Sequence, residues 1–399
     1  MAEGLIEEQA EFDDLCAQIR EAGIVAFDTE FVTEDTYRPE LCLLQLATDT
    51  ISVAVDPFQV ERLDAWWELM ADDETTVVVH GGQAEIKFCL AFGDARPRKL
   101  VDVQLAEGLQ STSYPLGYEA LVQRVLGERV SGKETRSDWR RRPLSARQIV
   151  YAREDVDHVL PIWNRQRESL QRLGRLEWFD AESERFIDDV ETEHNRKGAD
   201  RLSGMHKLRP REIAVASALA DWRDAEAARL NKPLRRMLRD DLIIELARLQ
   251  PKTVGQLMET RDMNRSGYRR SAEAMVACIQ QAVAIPDDQL PRREKGHGSR
   301  KRDEEQALGQ LLNMALSNLC AQANVSRQLI GTSADLRQLV RSHVFGAANG
   351  PLPRLASGWR AEVCGNLLTD LLDGKVSLRV SDPESDHPLV FERFNPESD

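Results

Sequence analysis

The sequence predicts an α/β domain, a mixed sheet flanked by helices, followed by two all-helical domains. Three observations carry that prediction. Over roughly the first 130 residues, short β-like runs alternate with helix-like ones. From Leu144 onward, apolar residues recur at three- and four-residue spacing. Residues 284–305, AIPDDQLPRREKGHGSRKRDEE, are rich in Pro, Gly and charge and nearly empty of large apolar side chains, the composition of a flexible linker.

The runs GIVAFDTEF, LCLLQLATD and TISVAVDP follow one another closely and read as neighbouring strands joined by turns. A helical stretch containing LDAWWELMAD leads to TTVVVH (75–80), a buried strand that passes through Gly81 and Gly82 into a helix, QAEIKFCLAF. A long helical pattern, SARQIVYAREDVDHVLPIWNRQRESLQRL, closes the first part. The chain then divides into a first domain at 1–200, a helical domain at 206–285, a charged linker at 286–303, a second helical domain at 304–382 and a tail at 383–399.

A chain of 399 residues can bury several cores, and 42% hydrophobic with 30% charged residues is a soluble, globular composition. The acidic start MAEGLIEEQAEFDDLCAQIR has no basic segment followed by an apolar one, and no stretch is long and uncharged enough to span a bilayer, so a cytoplasmic protein without membrane contacts is expected. The six cysteines, Cys16, Cys42, Cys89, Cys278, Cys320 and Cys364, are widely spaced and form no CxxC pair. They read as reduced thiols, without a disulfide framework or a zinc site. The net charge of −14 does not exclude a polyanionic partner, because binding depends on local patches. Arginines concentrate in RSDWRRRPLSAR (136–147), HKLRPRE (206–212), RLNKPLRRMLR (229–239) and RREKGHGSRKR (292–302), although each run taken alone also reads as a solvated face.

The chemistry starts at FDTEF (27–31). In an extended strand side chains alternate, so Asp28 and Glu30 share one face while Phe27, Thr29 and Phe31 share the other. Two like charges this close call for a positive partner, and a divalent metal ion is the simplest. The same pair also reads as a strand end, with Asp28 capping the next element and Glu30 meeting a surface lysine. Glu85 adds an acid one turn beyond the strand TTVVVH. Tyr151 and Asp155, at i and i+4 of the long helix, share a face, whereas Arg153 and Glu154 point elsewhere. Singly, Tyr151 reads as a core aromatic and Asp155 as a solvated helix acid. Together, Asp28, Glu30, Glu85 and Asp155 form an all-oxygen ligand set, which suits Mg²⁺ or Mn²⁺ rather than zinc. Four acids and a tyrosine suit two-metal phosphodiester hydrolysis, with two ions about 4 Å apart bracketing the scissile phosphate. The high intrinsic pKa of Tyr151 suits it to orienting the attacking water rather than deprotonating it.

Three strings, FDTEF, HGGQAEIKF and YAREDV, resemble the three motifs of the DEDD exonucleases, in the DEDDy subgroup with tyrosine four residues before the last aspartate. DTEFVTEDTYRPELCLLQLA together with SDWRRRPLSARQIVYAREDV is similar to the ribonuclease D family. LADWRDAEAARLNKPLRRMLRDDLIIELA resembles the helical HRDC domain of that family, and LASGWRAEVCGNLL its second helical domain. The resemblance covers most of the chain. It implies a ribonuclease H-like DEDDy exonuclease domain followed by two HRDC-like domains in a monomeric protein. The activity implied is a 3′–5′ exoribonuclease that trims tRNA precursors and other small structured RNAs, releasing nucleoside 5′-monophosphates with two divalent ions, Mg²⁺ or Mn²⁺. Asp28 would bridge both ions, Asp155 would complete the first metal site and Tyr151 would position the water.

One position departs from the family pattern, which has aspartate in the second motif where this chain has Glu85. Glutamate keeps the charge on an arm one methylene longer, and Mg²⁺ tolerates little geometric error. Arg140, Arg142, Arg235 and Arg236 are candidate phosphate contacts, and Phe31, Tyr37, Trp139 and Tyr268 candidate stacking surfaces, Trp139 and Tyr268 reading equally as core. Specificity is expected from shape, the domains forming a ring that admits a single-stranded 3′ end and stops at a duplex. Two rival readings remain open: a DNA-directed 3′–5′ exonuclease of the same superfamily, and an RNA-binding protein in which Glu85 marks a weakened site.

Overall fold

The computed structural model describes residues 4–130, 137–291, 299–344, 346, 352–385 and 388–394, with backbone alone for 299–303. Six strands, β1 (Leu5–Ile6), β2 (Ile24–Val32), β3 (Glu40–Ala47), β4 (Ser52–Val55), β5 (Thr76–Val79) and β6 (Leu100–Asp102), form one mixed sheet in the order β1-β4-β3-β2-β5-β6. β2 pairs antiparallel with β3 and parallel with β5. It is therefore central, and its alternation sorts two cores. Val25 and Phe27 pack toward α1 (Gln9–Ala22), α2 (Asp64–Ala71) and α3 (Gln83–Phe92), while Ala26 joins the core on the opposite face.

That opposite core is continuous well beyond the sheet. It takes in α4 (Val103–Gly108), α5 (Tyr118–Val125), α6 (Ala146–Asp157), α7 (Val159–Arg172) and α8 (Leu176–Asn195), and runs on into α14 (Ser299–Ala323), α15 (Arg327–Ile330) and α16 (Ser333–Val344). Between these lie α9 (Pro210–Leu230), α10 (Leu234–Met237), α11 (Asp240–Leu249), α12 (Val254–Glu259) and α13 (Ser266–Val283), which enclose a separate core of Leu219, Leu242, Leu246, Met275 and Ile279. Helix starts follow local chemistry. Ser145 and Gln148 close a capping box at α6, and Pro210 opens α9, where its missing N–H is no loss. Among the described residues, no helix is long and apolar enough to cross a membrane, and all six cysteines are free.

Two expectations are corrected at the C-terminal end. Residues 286–303 are not a simple linker: Arg211 anchors Asp287 and the carbonyls of Val283 and Ile285, and α14 already begins at Ser299. Residues 292–298, with the basic run they carry, lie outside the described residues. The second helical region does not run to 382 with a free tail behind it. After α17 (Gly358–Arg360), a π-helical turn (Ala361–Gly365) and α18 (Asn366–Leu372), the chain forms an antiparallel hairpin of β7 (Val376–Val380) and β8 (Leu389–Arg393). The alternation in VSLRV and LVFER (376–380 and 389–393) gives each strand one face to lay on α14 and α18, a period-2 signal too short to stand out after a long helical pattern.

The C-terminal helices dock on the first domain through polar as well as apolar contacts. Arg175 donates to the Ala323 carbonyl at 2.7 Å, Ser326 N to the Gly108 carbonyl at 2.8 Å, and the rings of Trp178 and Trp359 stack at 5.2 Å. At the centre, the fully buried Glu182 carboxylate accepts from Arg360 and Arg185 and faces Arg354 at 3.6 Å. Removing one member of such a buried set leaves uncompensated charge, at a cost of about 3–5 kcal/mol. Glu182→Leu is therefore expected to lower the urea midpoint of the full chain markedly, and an unchanged midpoint would show that the cluster does not hold the two parts together.

Candidate active site

The site is assembled on β2. Asp28 and Glu30 project toward α6, with Gln45 of β3 directly opposite Asp28 and Leu43 opposite Glu30. From α6, Tyr151 and Asp155 face them one turn apart, close enough for the Tyr151 hydroxyl to lower the Asp155 carboxyl. A register shift between Glu30 and Phe31 skips Cys42 before pairing resumes at Leu41, a common device for re-aiming a side chain at the edge of a site.

Glu85 arrives from the other side. β5 turns into α3 through Gly81, at φ +70°, and Gly82, where a Cβ would come within 2.3 Å of the Val79 side chain. Asp102, buried at the end of β6, fixes this turn: its Oδ1 accepts from Gly81 N at 3.0 Å and Gln104 N at 2.8 Å, and its Oδ2 from Gly82 N at 3.0 Å. Glu85 follows in the first turn of α3, where its Oε1 accepts from Thr29 Oγ1 at 2.6 Å. Thr29 lies on the strand face opposite Asp28 and Glu30, so Glu85 is tethered to β2 by a residue that is not one of the pair, while its charge still bears on Asp28.

Burial and mutual repulsion dominate the electrostatics. Burial, then the charges of Glu85, Asp155 and Glu30, pushes the Asp28 carboxyl well above the ordinary carboxylate range. Burial, then Asp155 and Glu85, raises Glu30 to about 8. Burial raises Glu85 to about 7 against the Thr29 hydrogen bond, and raises Asp155 to about 7 against the Tyr151 hydroxyl. Tyr151 is pushed above its ordinary range by burial, then by Asp155 and Glu30. Among the described residues no lysine or arginine is ion-paired with any of the four acids. Gln45, fully buried, has neither amide atom hydrogen-bonded. Two carboxylates and an orphaned amide on one strand pair, with further carboxylates from α3 and α6, are an all-oxygen donor chemistry that fits divalent cations. The set is open as it stands. Among the described residues no three acidic, histidine or cysteine side chains are arranged to hold a metal ion.

Residues 5–171 match the 3′–5′ exonuclease family and residues 212–279 the HRDC domain family. Ribonuclease D of Granulibacter bethesdensis is 32% identical over 384 residues, covering 94% of each chain, and that of Acidiphilium cryptum 34% identical over 379 residues, again 94% of each. The chain belongs to the ribonuclease D family. It is an exoribonuclease with a 3′–5′ exonuclease domain and an HRDC domain. The crystal structure of Escherichia coli RNase D, 24% identical, superposes with a TM-score of 0.80 over 94% of this chain and 99% of that one, so the fold is shared along the whole length.

The expected RNA contacts of this ribonuclease D family member are sorted by the structure. Phe31 is partly exposed, edge-on to Phe88 at 5.3 Å. Tyr37 is half-buried beside the HRDC domain, its backbone N–H donating to Asn231 Oδ1 at 3.1 Å. Trp139 is a correction: it is 4% exposed, packed among Leu5, Cys42 and Leu43 behind Tyr151, and offers no stacking surface. Tyr268 is likewise core. Arg142 is a second correction, because its guanidinium is consumed by Asp56 at 2.5 Å and by the Trp139 and Cys42 carbonyls. Arg140 is exposed and bonded to Asp138, Arg235 is exposed, and Arg236 pairs with Asp35 at 2.5 Å, joining the HRDC domain to the loop after β2. The sequence reading missed Thr29, Gln45 and Asp102. Only Asp102 left a signal, as an acid ending the apolar run LV before VQLAEG, an N-cap pattern.

Because the folded-state pKa values of Glu30, Glu85 and Asp155 lie above the unfolded ones, the native state binds protons more tightly, and stability falls as pH rises from about 4.5 toward 8. In EDTA, Asp28→Asn/Glu30→Gln is expected to gain stability over the parent at pH 8 and to gain little at pH 5. An equal gain at both values, by urea unfolding, would contradict the repulsion.

Proposed function

We propose that this exoribonuclease trims the 3′ ends of tRNA precursors and other small structured RNAs, releasing nucleoside 5′-monophosphates, with Asp28, Glu30, Glu85 and Asp155 holding two divalent ions, Mg²⁺ or Mn²⁺. The observation that carries this reading is the group of buried carboxylates around β2 with no protein cation among the described residues to balance them. When bound, two such ions would neutralise the four acids and make water acidic enough to attack a phosphodiester near neutral pH. The protein's own groups do the positioning. Asp155, one turn along α6, would steady the Tyr151 hydroxyl, and the raised pKa of Tyr151 keeps it protonated, so it would orient the attacking water as a hydrogen-bonding group rather than remove its proton.

Escherichia coli RNase D is an exoribonuclease involved in structured RNA processing, and the shared fold supports a similar substrate class for this chain. In this reading the chain divides into a DEDDy exonuclease domain at 1–200, an HRDC domain at 206–285 and a second, HRDC-like region that starts with α14 and runs on into the terminal hairpin of β7 and β8. The protein acts as a monomer in the cytoplasm. The docked domains would admit a single-stranded 3′ tail and refuse a duplex stem.

With a 5′-labelled RNA hairpin bearing a single-stranded 3′ tail, stepwise shortening that stops near the stem is expected in Mg²⁺ or Mn²⁺. EDTA and Asp28→Asn should both abolish it, and shortening that survives either change would overturn the assignment. The tether from Thr29 favours a slowed enzyme over an unperturbed one. Glu85→Asp, too short to keep that hydrogen bond, is expected to raise kcat in Mg²⁺ about tenfold. An unchanged or lower kcat would show that glutamate serves the site as well as aspartate.

A further inference from the structure

A ladder of aromatic rings leads away from the catalytic strand. Phe31, next to Glu30, meets Phe88 at 5.3 Å; Phe88 stacks on Phe92 at 5.8 Å and 20°; Phe92 stacks on Trp67 at 6.2 Å and 17°. Glu85, Phe88 and Phe92 are three and four residues apart on α3, so they form one stripe along the helix, about 10 Å long for seven residues. The stripe ends in an open groove of about 790 Å³ between the exonuclease domain and the C-terminal end of α9. Phe92, 52% exposed, and Phe58, 42% exposed, stand in it with Trp67 and Tyr37. Phe58 carries the Arg142 guanidinium over its ring at 4.6 Å and Trp67 is buried, so the ring surface open to the groove is the uncovered part of Phe58 and of Phe92.

We propose that this groove is a second RNA subsite, which stacks bases of the single-stranded tail upstream of the nucleotide being removed. The proposal rests on the exoribonuclease reading above and extends it to a specific surface. Single-stranded RNA is the occupant that matches both the chemistry and the continuity. Flat exposed rings take any base, as a trimming enzyme requires, and the groove is walled by residues 36–41, the segment that continues β2 beyond Glu30. The groove also carries Glu40, Glu61 and Asp64, which disfavour phosphates on its floor. Bases therefore enter and the backbone stays at the rim, where Arg38 and Arg62 are exposed. Because α9 forms one wall, and Tyr37 and Asp35 bond to Asn231 and Arg236, the HRDC domain helps to shape the subsite without reaching the catalytic acids.

The test compares a twelve-nucleotide single-stranded RNA with a trinucleotide too short to reach from the acids to the groove. Binding is read by fluorescence anisotropy with the full-length Asp28→Asn protein, and hydrolysis with the active one. Phe58→Ala/Phe92→Ala is expected to weaken binding of the longer RNA by tenfold or more and to raise its KM, while kcat and trinucleotide binding stay within about twofold. Arg62→Glu, an exposed substitution that spares the ring packing, should weaken the longer RNA selectively as well. Equal losses for both lengths, or none for either, would overturn the subsite. A parent enzyme that binds the longer RNA through the groove but digests neither substrate would instead overturn the exoribonuclease reading and leave the subsite standing.

Discussion

Repulsion among four carboxylates buried around one strand is the constraint on which the rest of the molecule depends. Asp28 and Glu30 share a face of β2, Asp155 faces them from α6, and Glu85 reaches the same strand from α3. Burial raises each acid, and the charges of the other acids raise Asp28 and Glu30 further. Such a group persists in a fold only if its surroundings are rigid enough to hold it. In this fold β2 is the central strand, cores lie on both of its faces, and Asp102 clamps the turn that delivers Glu85. The strain held by the protein is what a divalent cation would relieve, which couples ion binding to the protonation of the four acids.

The helical regions relate to that centre in different ways. The HRDC domain has its own core and touches the exonuclease domain through a few polar contacts, Tyr37 to Asn231 and Arg236 to Asp35. The C-terminal helices share a continuous core with the first domain and close over Glu182. One region is positioned beside the path to the acids, and the other braces the helices behind them. Composition of the segment joining the two gave no warning of this difference, because a Pro- and charge-rich stretch reports on itself and not on what its neighbours bury.

Much of the fold was legible from the chain. The alternation in GIVAFDTEF, the Gly81–Gly82 turn into QAEIKFCLAF and the i, i+4 spacing of Tyr151 and Asp155 each correspond to what is seen. β1 and β6 were not legible, being two and three residues long and too short to carry a period. The hairpin at the C-terminal end was hidden behind a helical pattern for a related reason. At the site, identity was readable but orientation was not. Whether Glu85 stands beside Asp28 or is drawn to Thr29 depends on the angle at which α3 meets the sheet. Trp139 and Arg142, read as candidate RNA contacts from their place in an arginine-rich run, serve instead to pack and clasp the loop before α6. Sequence supplies their charge and aromaticity but not their partners.

The most direct test of the central claim is calorimetric titration of the metal-free protein with Mn²⁺ at pH 7, repeated in buffers of different ionisation enthalpy to count the protons released. If burial and repulsion hold the acids partly protonated, two ions bind and more than one proton leaves with them, and Asp28→Asn reduces both numbers. Binding without proton release would mean that the four acids are already ionised together, which contradicts repulsion as the constraint that governs the site.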